Sequence, residues 1–307
     1  RKIISFAFPE MEFLFCRMER GSIPWEAWKW LERDFIYAGR KTVPETETIA
    51  ENNDHHVLWL MEKGGVEIRK DGTRFSVGPG RGILLLPGRF ERRFSVGNRV
   101  LSIRFRWQWP TGRPLFGDDG PLSLEARGSP SVFRNARGLV SFLERRAAPS
   151  ATAKESWMDF RVLPFDLDAE AWFELEERVA RLERNLVDIV VKNGYSPSLF
   201  RVSDDRVLAA LTRLQRQPPG ESLRVEELAA AVGLSRGRLN DLFREQTGST
   251  PAHVMRERRR RHIRDLLEKT ELPVKRIAYE AGFGSLALFS DWCRRAYGHA
   301  PTKLRGR

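Results

Sequence analysis

Cysteine and histidine are scarce in this 307-residue chain, which holds two of the first and five of the second. Cys16 and Cys293 lie far apart in sequence, which excludes a CxxC pair and a disulfide framework and fits a reducing compartment. No stretch of about 18 apolar residues occurs, so no membrane-spanning helix is predicted. A basic segment followed by an apolar core and a small-residue cleavage site is also missing, and a cytoplasmic location is the expectation.

What is present reads as a folded protein. Hydrophobic residues make up 41% and charged residues 31%, with a mean hydropathy of −0.45, a balance that favours packed domains over disorder. At about 150 residues per domain the length suggests two. The net charge of +12 points to a polyanionic partner. Its distribution is uneven: from Ser203 onward there are 21 Lys plus Arg against 13 Asp plus Glu, and before it 32 against 28. The basic excess therefore concentrates in the last third. Within it, RERRRRHIRD (Arg256 to Asp265) places six arginines in ten residues.

From His55 to Trp109 the pattern is β, with short apolar runs punctuated by Gly and Pro and a hairpin signal at Asp71-Gly72. LSIRFRWQW alternates strictly, with Leu101, Ile103, Phe105, Trp107 and Trp109 on one face and Ser102, Arg104, Arg106 and Gln108 on the other. Several such strands predict a small barrel or jelly roll. A Pro/Gly-rich passage (Pro110 to Pro130) follows, then a short helix over Leu139 to Arg146. Asp166 to Lys192 reads as a long helix with Asp168 as N-cap and Gly194 beyond its end. On it Trp172, Leu175, Val179, Leu182, Leu186 and Ile189 recur at three and four. Two readings of that seam stand, packing on the chain's own barrel and a dimer contact. Asn193 to Ser203 reads as a linker, and everything beyond it as helical.

The C-terminal segment repeats itself. VEELAAAVGLSRGRLNDLFREQTGSTP, from Val225, aligns with VKRIAYEAGFGSLALFSDWCRRAYGHAP, from Val274. Ala229 and Gly233 find Ala278 and Gly282 at an offset of 49; Ser235, Asp241, Gly248 and Pro251 find Ser285, Asp291, Gly298 and Pro301 at 50. Each copy spells a helix, a tight turn with glycine, an N-capping serine and a second helix, the order of a helix-turn-helix. Paired hairpins in an all-α scaffold are the plainer alternative. Through LAAAVGLS, LFREQTG and TPAHV in the first copy, and IAYEAGFGS, FS and YGHAP in the second, the chain resembles the AraC/XylS family of bacterial transcription regulators. That resemblance covers about 100 residues, Ser203 to Arg307. It implies two helix-turn-helix units joined by one long helix, set to enter successive major-groove segments. More weakly, through GILLLPG, the front region resembles the cupin-like sensor domain of many such regulators.

In the first reading helix, Ser235 to Thr247, Leu239, Leu242 and Phe243 take inward spacing. Arg236, Arg238, Asn240, Asp241 and Arg244 are left outward. Arg pairs well with guanine and Asn with adenine, so Asn240 and Arg236 are the candidates for base contacts. Arg238 and Arg244 divide between bases and phosphates. Asp241 accepts from cytosine or pairs with a nearby arginine. The second helix, Ser285 to Tyr297, offers Ser285, Leu286, Ala287, Ser290 and Asp291, then Arg294 and Arg295. Leu286 and Ala287 donate no hydrogen bond; packing on thymine methyls and a purely positioning role on phosphates are both open. Cys293 is expected to pack in the core. The arginine run falls between the units, on a helix following Pro251. Its six arginines cannot all face one partner, so it reads as a strut with some arginines in reach of phosphate.

For Trp59, Trp107 and Trp109 the two readings are barrel core and a wall that stacks on an effector such as a sugar. Arg104 and Arg106 are expected at the surface, or against an acidic effector. His55 and His56 are adjacent and leave a strand on opposite faces, so no metal site is expected, nor a cofactor or catalytic centre. The expected fold is α+β and multidomain: residues 1–165 a cupin-like barrel or jelly roll with helices, 166–202 an amphipathic helix and linker, 203–307 an all-α domain with two helix-turn-helix motifs. The expected function is a sequence-specific DNA-binding transcription regulator. Its expected partners are promoter DNA, a small-molecule effector, RNA polymerase and a second copy in a homodimer. A constitutive DNA binder and a cupin-type enzyme with a DNA-binding appendage are the alternatives.

Overall fold

The computed structural model describes residues 23, 25–43, 49–117, 120–146, 166–218, 221, 223–270 and 272–305. Cys16 and residues 147–165 of the expected first domain lie outside them. Among the described residues a short helix, α1 (Trp25–Trp28), leads into nine strands: β1 (Glu32–Lys41), β2 (Ile49–Asn53), β3 (His56–Lys63), β4 (Val66–Lys70), β5 (Thr73–Val77), β6 (Arg81–Leu85), β7 (Gly88–Phe94), β8 (Arg99–Gln108) and β9 (Leu122–Glu125). They form two antiparallel sheets, ordered β1-β8-β3-β6-β9 and β2-β7-β4-β5. Asp71 and Gly72, at φ 49° and 78°, make the β4–β5 hairpin, since a two-residue loop matching strand twist needs positive φ at both positions. β1 and β9 carry weaker sequence signals: β1 lies before the alternating region, and β9 lies inside the Pro/Gly-rich passage.

The central sheet is covered on both faces, which is why β3 is a continuous apolar run rather than an alternating one. Val57, Trp59 and Met61 face the second sheet and pack with Ile68, Phe90 and Phe94. Leu58, Leu60, Phe105 and Trp107 face the other way, toward helices α2 (Pro130–Arg146) and α3 (Ala169–Lys192). Helix α2 begins well before the predicted Leu139. Asp168 caps α3, accepting from Ala171 N–H at 2.8 Å.

Strand parity sorts the tryptophans between two faces of the sheet. Trp59 pairs across the ladder with Ser102 and donates to its hydroxyl at 3.1 Å, which puts it on the opposite face of the sheet from Trp107. Trp107 instead donates to Glu183 at 2.7 Å, and Trp109 to Ser198 O at 2.9 Å. The three tryptophans are therefore core residues on two faces and do not wall one pocket. Arg106 is buried rather than solvated, 3.0 Å from Asp34. The α3 seam is filled from within the chain. Leu175, Val179, Leu182 and Leu186 are buried in the same core as α2, Ile189 is half-buried, and Trp172 points outward at 51% exposure. A dimer through those leucines would have to displace this packing.

Residues 193–203 form a turn and an irregular segment that is pinned: Ser198 N–H donates to Leu115 O, and Phe200 stacks on Trp109 at 5.1 Å. Seven helices follow: α4 (Asp205–Arg216), α5 (Val225–Ala231), α6 (Arg236–Thr247), α7 (Pro251–Lys269), α8 (Val274–Glu280), α9 (Leu286–Tyr297) and α10 (Pro301–Arg305). Helix α7 belongs to two cores. Val254 packs with Leu228, Leu239 and Phe243, whereas Ile263 and Leu267 pack with Ile277, Phe289 and Cys293. The packing around Cys293 pushes its thiol up to about 12, as expected of a residue that packs rather than reacts.

Candidate nucleic-acid interface

The two helix-turn-helix units are built alike, bond for bond. In the first, Gly233 turns the chain at φ 68° and Leu234 N–H reaches Ala229 O at 2.9 Å; in the second, Gly282 does so at φ 76° and Phe283 N–H reaches Ala278 O at 2.9 Å. A side chain with a Cβ is strained at that φ, which is why glycine recurs there. Ser235 then caps α6 through Arg238 N–H (3.3 Å), and Ser285 caps α9 through Leu288 N–H (3.2 Å). Each helix closes on a left-handed glycine, Gly248 or Gly298, and Pro251 or Pro301 opens the next. The repeated sequence punctuation thus maps onto repeated hydrogen bonds.

Packing decides which face of α6 is outward. Leu239 and Phe243 are fully buried and Leu242 nearly so, leaving Arg236, Arg238, Asp241 and Arg244 exposed and Asn240 half-buried. Arg236 Nη1 lies 2.7 Å from Glu226 on α5, an exposed contact of small energetic weight that a nucleobase can displace. On α9, Phe289 and Cys293 are buried; Leu286, Ala287 and Arg294 are exposed, and Ser285 and Ser290 half-buried. Asp291 pairs with Arg294 at 2.6 Å. The sequence reading missed Leu288, 59% exposed. Its signal was its repeat mate, Arg238, already assigned outward.

The arginine run faces inward. Arg258 donates to Gln215 O at 2.8 Å, and Arg259 donates to Ala281 O at 2.6 Å while lying over the Phe283 ring at 4.3 Å. Arg260 pairs with Glu257. Arg261 pairs with Glu32 on β1, and Arg264 sits 2.7 Å from Asp54 and 5.1 Å from the Tyr297 ring. Arg256 alone among the six is exposed. The strut reading of the sequence fits this arrangement; a broad phosphate-binding role for the run does not.

Two of those contacts join α7 to the front domain. Burial by itself would raise the Asp54 carboxyl, but Arg264, the His55 hydrogen bond and Arg106 together hold it well below the ordinary range. Burial likewise lowers His55 to about 4 and His56 to about 3, so both rings are neutral at pH 7. His56 lies stacked on Phe105, with Trp107 tilted against it, each at 5.0 Å. Between the sheets, Arg92 is buried with its guanidinium 5.9 Å from the Trp59 ring and 5.4 Å from that of Phe94.

Residues 228–307 match the family model described as a helix-turn-helix domain. The HTH-type transcriptional regulator GlxA of Rhizobium meliloti (strain 1021) is 33% identical over 116 residues, 38% of this chain and 36% of that protein. The xylose operon regulatory protein of Escherichia coli (strain K12) is 28% identical over 132 residues, 43% of this chain and 33% of that protein. The crystal structure of ToxT from Vibrio cholerae O395 aligns over 90% of this chain and 97% of its own at 15% identity, with a TM-score of 0.46. The chain spans about a third of the length of these curated relatives.

Proposed function

We propose, because residues 228–307 match a helix-turn-helix domain, that the chain is a sequence-specific DNA-binding transcription regulator of the AraC type acting in the cytoplasm. The observation that carries this is the pair of exposed reading helices, α6 and α9, held at the two ends of one 19-residue helix. Asn240 and Arg236 read bases, Arg238 and Arg244 divide between bases and phosphates, and Arg294 contacts phosphate. Residues 203–307 act as the reader, 166–202 as the connection, and 1–165 as the part that responds to a small molecule and adjusts promoter occupancy or contact with RNA polymerase. The chain itself performs no catalysis in this reading. A homodimer suits a regulator of this kind, and on α3 the surface for it is Trp172 and Phe173, exposed at 51% and 72%, rather than the buried leucines.

The relative from E. coli is named for a xylose operon, which keeps a sugar among the effectors worth assaying. Arg92 among the barrel aromatics gives an acidic small molecule equal standing. The experiment is selection of bound sequences from a randomised duplex library, followed by footprinting with and without panels of sugars and carboxylic acids. Equal binding of selected and random duplexes across a salt titration would defeat the reading. One observation favours a constitutive binder instead: the space between the sheets is occupied by Trp59, Phe90 and Phe94 at ring separations of 5.1 and 6.3 Å. Under that reading no compound in either panel raises the melting temperature.

A further inference from the structure

The two copies of the repeat present different chemistry at the same place. The first turn of α6 offers Arg236, Gly237 and Arg238; fifty residues on, the first turn of α9 offers Leu286, Ala287 and Leu288. All three are exposed, Leu286 to 43% and Leu288 to 59%. At about 100° per residue they spread over about 200° of arc, so the tip is apolar on each outward side. Nearby polar groups are engaged with one another: Ser285 caps Leu288 N–H, and Asp291 holds Arg294. Elsewhere on the unit Lys275, Arg295 and Lys303 are exposed, and Arg276 and Arg294 are exposed but paired with Glu280 and Asp291.

Apolar side chains held in water on a unit that also exposes cations fit a partner that pairs an apolar feature with anionic groups. The major groove over a C5-methylated pyrimidine has that form, with a methyl group on its floor and phosphates on its walls. An acidic protein surface would also satisfy the exposed cations. The repeat, however, sets this tip where the first copy sets the arginines of its reader, so the position favours a base.

We infer that the second helix-turn-helix unit recognises the C5-methyl group of a pyrimidine through Leu286, Ala287 and Leu288, with exposed basic residues of the same unit on phosphates. The inference rests on the DNA-binding reading above and adds the chemical feature that the second unit reads. The two units then work in different currencies, hydrogen bonds at α6 and methyl burial at α9.

The test uses the full chain and the best duplex from the randomised library, with the first half-site identified as the one whose specificity Asn240→Ala relaxes. Replacing thymine by deoxyuridine in the other half-site removes only the methyl and is expected to weaken binding about fourfold per methyl buried. Changing cytosine to 5-methylcytosine at the same positions, in an otherwise identical duplex, is expected to strengthen it by a similar factor. If only the thymine substitution has an effect, thymine is the methyl source; an effect of both makes methylated cytosine a second one. In the Leu286→Ser/Leu288→Ser variant, whose changes are at exposed positions, the deoxyuridine penalty disappears. A penalty of the same size in the variant and the parent, or no penalty in either, overturns the inference while leaving the regulator reading intact. It is equally overturned if the variant keeps full DNA affinity and loses only transcription, which would make the tip a protein-contact surface. Failure of the full chain to enrich any sequence overturns both readings together.

Discussion

Arg264 Nη1 lies 2.7 Å from Asp54 Oδ1, joining the helix that carries both readers to the turn that precedes β3. The same carboxylate accepts from His55 at 3.1 Å and lies 3.6 Å from Arg106. One acidic side chain therefore neutralises arginines from both halves of the protein. Glu32 repeats the arrangement on a smaller scale, taking Arg261 from α7 and Gln108 from β8.

Removing that carboxylate leaves two largely buried guanidinium groups without it. Asp54→Ala is expected to cost about 3 kcal/mol, within the range for breaking a buried ion pair from one side. Arg256→Ala, at the exposed arginine of the same run, is expected to change stability by less than about 0.5 kcal/mol. Thermal denaturation of the two variants beside the parent chain measures the contrast, and equal losses would contradict the inward assignment of the run.

Acid should loosen the front domain before it reaches the carboxylates. His55 and His56 have folded pKa values of about 4 and about 3, below the unfolded value of about 6.5. The unfolded chain therefore takes up protons first as pH falls through about 6.5, and each histidine withdraws up to about 1.4 kcal/mol per pH unit until its folded value is reached. Asp54, whose folded pKa is depressed, supplies stability above the unfolded carboxylate value that is lost only at still lower pH. Melting temperatures from pH 7.5 to 5 should fall, and fall less steeply in His56→Leu. Parallel slopes for the two proteins would show that His56 is not the source.

The α3 seam separates internal packing from dimerisation. Leu186→Ala is expected to cost about 2 to 5 kcal/mol, because Leu186 is fully buried. That loss should not depend on protein concentration. Trp172→Ala, at the half-exposed position proposed for the dimer surface, should leave the monomer folded but weaken self-association. Sedimentation over a range of concentrations checks this: loss of a dimer in Leu186→Ala, with the monomer still folded, would return the leucines to an intermolecular role.

Direct readout by the first unit predicts an uneven effect across bases. Asn240→Ala should relax discrimination at one base position by about 1 to 3 kcal/mol. Binding of a duplex series substituted at each position in turn gives the profile. A uniform loss at every position would place Asn240 on the backbone instead of a base.

Much of this molecule is legible in its residues because the C-terminal repeat states its own geometry twice. Gly233 and Gly282, Ser235 and Ser285, and Pro251 and Pro301 are punctuation whose meaning is local, set by φ and by the orphan N–H groups of a helix start. What escaped local reading was long-range. Which face Trp59 occupies depends on its register against Ser102, a relationship fixed by a strand some forty residues away. Whether Leu182 meets another chain or its own depends on where α2 lies, and the partners of Arg261 and Arg264 are more than two hundred residues distant. β9 was hidden by the glycines and prolines around it, since pairing with β6 rather than propensity makes it a strand.

Helix α7 is 19 residues long, which at about 1.5 Å per residue is roughly 28 Å. Its first turns are embedded in one helix-turn-helix core and its last turns in the other, while Arg261 and Arg264 fasten its middle to the sheets. A rod held at three places has little freedom to stretch or swivel. If both units read bases as proposed, that length sets the spacing of the two base sequences, on the scale of one turn of the double helix. On that reading, a promoter whose two elements are moved apart by half a turn must bend or untwist its own DNA to be bound.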